Sequence, residues 1–237
     1  MARKLFFAVC IAALLFSSCQ KEKFSKIRMA NYSLVTSTGA VAISNDYVWL
    51  DGILQEKSDY IGFQPFGHQY FVYDNDNLVE MNDEIAQEHQ YYYYNGERLK
   101  SFLSIINGDT TINGKVISYT SKGEIKEVEY YEPAGRTIFE FRWDKGNVTE
   151  MRKQLLDNQD NLVFDTTYRY NFDKSPSIYT GIPSCLHLIT PALFPERASK
   201  NNLFSDEYEY TYDEQNRLVE FTKPNSGLTT RITYLEE

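Results

Sequence analysis

Short stretches of this chain alternate aromatic and polar side chains. Tyr208, Tyr210 and Tyr212 are separated by Glu209 and Thr211, and Phe141 and Trp143 flank Arg142. A period of two places the aromatics on one face of a strand and the polar residues on the other. After each stretch comes a cluster of Asp, Asn or Gly, which tolerate the positive φ of a hairpin turn. An aliphatic residue then follows, with a second apolar residue three positions later. Tyr73 leads through Asn75-Asp76-Asn77 to Leu78 and Met81. Tyr94 leads through Asn95-Gly96-Glu97 to Leu99 and Phe102; Tyr119 leads through Lys122-Gly123-Glu124 to Ile125 and Val128. Trp143 leads to Val148 and Met151, and Tyr212 to Leu218 and Phe221. A worn copy begins at Tyr168-Arg169-Tyr170.

The pattern predicts hairpins. A spacing of three breaks strict alternation, so a bulge or a change of face is expected just after each turn. Tyr73, Tyr94, Tyr119 and Trp143 are 21, 25 and 24 residues apart, room for two strands and two turns. Further turns are read at Asn107-Gly108-Asp109 and Asn113-Gly114-Lys115. Nearer the N-terminus, Tyr32 to Val35, Val41 to Ile43 and Tyr47 to Leu54 read as strands that open the sheet. No helical period extends over a dozen residues after position 24. The expected fold is all-β: an antiparallel meander of repeated hairpins, curled into an open sheet or barrel-like shape so that the aromatic face leaves water. A transmembrane barrel is disfavoured, because the aromatics fall in nearly every strand and not in two girdles.

The repeat stops between 174 and 205, where Pro176, Pro183, Pro191 and Pro195 lie. Proline removes a ladder donor, so this is expected to be a long excursion, a plug over the open end of the curled sheet or a lid over a ligand. Its apolar residues, among them Ile182, Leu186, Leu188 and Phe194, argue for packing against the sheet.

Composition narrows the function. Against 33 Asp and Glu stand 24 Lys and Arg in 237 residues, a net charge of −9 that disfavours nucleic acid as a partner. The three Cys make no disulfide framework. Arg3 and Lys4 precede an uncharged apolar run, Leu5 to Phe16, too short for the roughly 20 residues of a membrane span. Leu15-Phe16-Ser17-Ser18-Cys19 follows, and it resembles the lipobox of bacterial lipoproteins. That resemblance implies a signal peptide over 1–18, a lipid on Cys19 and a polar stem over 19–24, ahead of one β domain over 25–237. Loss of 1–18 removes two cations and no acid, lowering the charge to −11. Such an acidic body is poorly suited to an anionic bilayer, so the lipid would be the anchor.

The Tyr-x-Tyr-Asp, turn, Arg-Leu pattern, clearest from Tyr210 to Leu218, is similar to the YD repeats of Rhs and teneurin shells. Together with the lipobox it resembles a family of Bacteroidetes lipoproteins of unknown function with a porin-like curled sheet. The resemblance spans about 65–235 and departs from the pattern at Asp74 to Asn77, which has no Gly, and at the worn copy. It implies an outer-membrane location and a fold, and no activity.

Motifs for chemistry are sparse. Cys185 and His187 are spaced to share a strand face, but no orienting group accompanies them. His68 and His89 are isolated. Asp74-Asn75-Asp76-Asn77 begins like a calcium loop, yet Leu78 stands where that loop needs Gly, so it reads as a turn. The expectation is therefore a protein without cofactor, metal or catalytic residues, which binds an envelope partner or assembles with one. In the alternative reading it captures glycans, with Tyr92, Tyr94 and Trp143 stacking on sugar rings. A carboxylate-based hydrolase trails both.

Overall fold

A computed structural model describes residues 28–224 and 226–235. The signal segment 1–18, Cys19 and the stem to residue 24 lie outside the described residues. Twelve strands follow one another as a meander: β1 (Met29–Thr36), β2 (Val41–Leu50), β3 (Ile53–Ile61), β4 (Gln64–Asp74), β5 (Asn77–Asp83), β6 (Glu88–Asn95), β7 (Arg98–Ile106), β8 (Asp109–Tyr119), β9 (Ile125–Glu132), β10 (Gly135–Asp144), β11 (Asn147–Asp157) and β12 (Leu162–Arg169). The chain then leaves the sheet and returns through β13 (Asn171–Pro176) and β14 (Asn201–Phe204), which pair only with each other. It ends in β15 (Glu209–Tyr212), β16 (Leu218–Thr222) and β17 (Leu228–Tyr234). Because β17 pairs antiparallel with β1, all these strands except β13 and β14 form one sheet of 15. The sheet is open, with β12 and β15 as its edges.

The local rules of the repeat hold strand by strand. In each hairpin the last aromatic faces the first aliphatic residue: Tyr73 opposite Leu78, Tyr94 opposite Leu99, Tyr119 opposite Ile125, Trp143 opposite Val148, Tyr212 opposite Leu218. A register shift immediately precedes every one of these pairs. The extra residue of the bulge restores phase, so Leu78 and Met81, or Val148 and Met151, are buried on one face despite their spacing of three. The turn that lacks glycine places Asn75 and Asp76 at φ 49° and 66°, a conformation Asn and Asp accept more readily than other side chains. In two copies a polar tip ties the hairpin to the one before it. The Tyr119 hydroxyl donates to the Leu99 carbonyl, and Trp143 Nε1 donates to the Ile125 carbonyl at 2.7 Å.

Three local expectations are corrected. Tyr47 to Leu54 is not one strand: Asp51 and Gly52 form a two-residue turn, and Trp49 opposite Leu54 makes a further copy of the hairpin unit. Lys57 stands three residues after Leu54, where the other copies carry an apolar residue, and this hid it. Asn113-Gly114-Lys115 is not a turn but the middle of β8. Its glycine is required by packing, since a Cβ there would sit 2.1 Å from the Phe102 ring. The worn copy at 168–173 is no hairpin either; Arg169 ends β12, and the chain crosses into β13.

The excursion fills the concave face. It forms two 3-10 turns (Ser184–Ile189 and Pro191–Leu193) and a short helix, α1 (Phe194–Ala198). These elements are too short to register as a helical period. Buried Leu188 and Phe194 join the aromatic stripe of β4 to β11 in one core. Within that core Phe102, Tyr130 and Phe139 pack edge to face at 5.5 and 5.4 Å, and the Tyr130 hydroxyl donates to the Leu188 carbonyl at 2.7 Å. A second, smaller core lies under β1, β16 and β17, built on Met29, Ile178, Leu218, Ile232 and Tyr234.

Candidate functional site

The inward face of the sheet is only half aromatic. Along β6 the residues that share a face are Glu88, Gln90, Tyr92 and Tyr94, so the aromatic stripe runs back into a polar one. In β4, Gln69 precedes Phe71 and Tyr73 on the same face, and the inward side of β3 carries Lys57 and Asp59. The excursion covers the aromatic half tightly. Over the polar half it leaves a cavity of about 400 Å³, walled by β2 to β6 and roofed by Tyr179, Ile182, His187 and Arg197. That volume lies within the range of small-molecule sites.

The walls are hydrogen-bonded networks. Asp59 is 5% exposed; it is paired to Lys57 Nζ at 2.5 Å and accepts hydrogen bonds from the Asn45 and Gln69 amides. Gln69 also reaches Asp83, at 3.3 Å. Gly67 permits this approach: a Cβ on it would lie 2.9 Å from Asp59 and 3.1 Å from Asp83. On the facing strands Tyr92 donates to Gln90 at 2.5 Å, while Gln90 and Ser104 donate to Glu88 at 2.8 and 2.7 Å. Each wall carboxylate thus has its own donors, the condition for holding buried charge.

The roof is not satisfied in this way. His187 is 4% exposed, and its Nε2 has no hydrogen-bond partner. Burial lowers its pKa to about 3, with the Arg197 charge adding to the effect, so the ring is neutral at physiological pH. Arg197 Nε is likewise buried without a partner. Both side chains are set by one ring: Arg197 Cζ lies 5.4 Å from the centroid of Tyr179, and His187 stands edge-on to it at 5.8 Å. The Tyr179 hydroxyl in turn donates to Glu196 at 3.5 Å.

Among the residues singled out from sequence, Tyr92 is 3% exposed and lies in the core beside the cavity floor. Tyr94 packs half-buried under the excursion and donates to Cys185 Sγ at 3.6 Å. Trp143 is half-buried, with its ring edge-to-face against Phe194 at 6.2 Å. The three do not form an open platform, since the excursion already occupies their face. Cys185 and His187 are kept apart by the 3-10 turn: the thiol meets Tyr94 and the imidazole meets Tyr179. Burial pushes the Cys185 thiol up to about 11, so it is not a thiolate at neutral pH. Sequence reasoning missed Gln90, Glu88, Asp59 and Arg197. For the first two a signal existed, because stepping back from Tyr92 by two and by four reaches Gln90 and Glu88 on the same face. Arg197 had none.

No protein-family model matches the chain, and no curated protein matches it. Among solved structures, a porin-like protein from Bacteroides uniformis is similar at 15% identity, with a TM-score of 0.49, over 87% of this chain and 96% of that one.

Proposed function

We propose that this chain is a lipid-anchored, non-catalytic binding module of the cell envelope, whose recognition site is the cavity between β2 to β6 and the excursion. One observation carries the binding half: a cavity whose wall carboxylates are hydrogen-bonded faces a roof whose buried His187 Nε2 and Arg197 Nε lack partners. Polar groups left unbonded away from water are costly, and a ligand offering complementary groups removes that cost. The anchoring half is supported by the lipobox-like run ending at Cys19.

Two outcomes are expected. A ligand that binds only the folded state raises the melting temperature by mass action, so a thermal-shift panel of small sugars and acidic sugars will contain at least one reproducible riser. Tyr179→Ala will abolish that rise, because it removes the ring that sets Arg197 and His187. A flat panel counts against a small-sugar site. For the anchor, Cys19→Ala is expected to move the protein from the membrane fraction to the soluble fraction and to abolish labelling by an alkyne fatty acid. Retained labelling overturns it.

A second reading, docking of an envelope protein, is favoured by β12. This edge strand of the open sheet exposes Leu162, Val163 and Phe164 beside unpaired backbone groups.

A further inference from the structure

Four charged side chains line the cavity: Lys57, Asp59, Glu88 and Arg197. Lys57 and Asp59 neutralise each other at 2.5 Å, and Glu88 accepts from Gln90 and Ser104. Arg197 stands differently. Among the described residues no carboxylate lies within ion-pair distance of it, and its Nε is buried without an acceptor. Its neighbour Glu196 faces a separate, smaller cavity of about 140 Å³ and bonds to Tyr179.

From this placement we propose that the cavity takes a small monocarboxylate, an acidic sugar in chemical class, with its carboxylate on Arg197 and His187. The inference rests on the reading of the cavity as a ligand site and adds what that ligand must carry. A guanidinium presents a planar fork of N–H donors that matches a carboxylate bidentately, and this one lies over the Tyr179 ring, 5.4 Å from its centroid. The neutral imidazole of His187 places one more hydrogen-bonding nitrogen beside it without adding a like charge. Lys57 and Asp59 cancel, and Glu88 keeps its charge because its donors are neutral, so the lining sums to zero with Arg197 counted. One negative charge on the guanidinium is therefore tolerated better than the two of a phosphate dianion. The rest of the wall suits a hydroxylated ring: Gln69 and Gln90 offer hydrogen bonds, and Tyr47, Phe66 and Phe71 supply apolar faces.

The experiment is isothermal titration of the purified protein and of Arg197→Gln with D-glucuronate, D-glucose and inorganic phosphate. Glucuronate is expected to bind at least tenfold more tightly than glucose, and Arg197→Gln to erase that difference while leaving residual affinity for glucose. Because this substitution could disturb the roof, the wild-type protein provides a second readout. Glucuronate, and not glucose, should slow phenylglyoxal modification of Arg197, followed by peptide mass spectrometry. Equal binding of glucuronate and glucose, both lost in Tyr179→Ala, overturns the carboxylate assignment and leaves the cavity a ligand site. Preference for phosphate overturns it as well. If no probe binds and none protects Arg197, both the assignment and a sugar-binding cavity fall.

Discussion

Replacing Phe194 with alanine is expected to destabilise the protein by about 3–5 kcal/mol, the range for deleting a fully buried aromatic ring. Phe194 is 1% exposed, and its ring lies 4.6 Å from Phe141 and 6.2 Å from Trp143. The five residues of α1 cannot hold a helix by themselves, since isolated helices shorter than about 12 residues are marginal in water. Tertiary packing therefore fixes the helix, and Phe194 is its main anchor on the sheet. Arg197 sits one turn later on the same helix, so losing the anchor also loosens the cavity roof. Urea unfolding of wild type and variant measures the effect. A loss below about 0.5 kcal/mol, the scale of an ordinary surface change, would mean that the excursion is not seated on the stripe.

His187 makes the second large effect, and it depends on pH. Burial, reinforced by Arg197, lowers its pKa from 6.5 to about 3 in the folded protein. The folded state therefore stays unprotonated while the unfolded chain takes up a proton below about 6.5. Stability tied to this group is fully present above pH 6.5 and is lost as pH falls toward 3, where the folded ring also titrates. At about 1.4 kcal/mol per unit, the whole span is worth up to about 5 kcal/mol. His187→Leu removes the titration, so its stability should fall less steeply than wild type between pH 6.5 and 3. The difference between the two curves isolates His187 from the carboxylates, which titrate in both. Parallel curves would mean that the ring is solvated.

Much of the fold was legible in the residues. The aromatic-to-aliphatic distance and the apolar residue three further on implied a hairpin and a bulge, and both occur at Tyr73, Tyr94, Tyr119, Trp143 and Tyr212. These features are local: strand alternation, turn φ and bulge phase act within about ten residues of sequence. Misreadings arose where a local pattern answered to a distant partner. Asn113-Gly114 looks like a turn, yet the glycine is there because the Phe102 ring on the adjacent strand lies against it. The Trp49 hairpin escaped notice because Lys57 replaces the second apolar residue and belongs instead to the cavity wall with Asp59.

By itself, then, the sequence determined the five repeated hairpins with their turns, bulges and shared faces, because each depends on neighbours along the chain. Only the tertiary structure decided that β17 lies against β1, that residues 174–205 occupy the concave face, and that Tyr92 is core and not platform. It also brought Arg197 and His187 over Asp59, Gln69 and Gln90. Those outcomes turn on which surfaces exclude water once the sheet curls, and no window of sequence contains both surfaces.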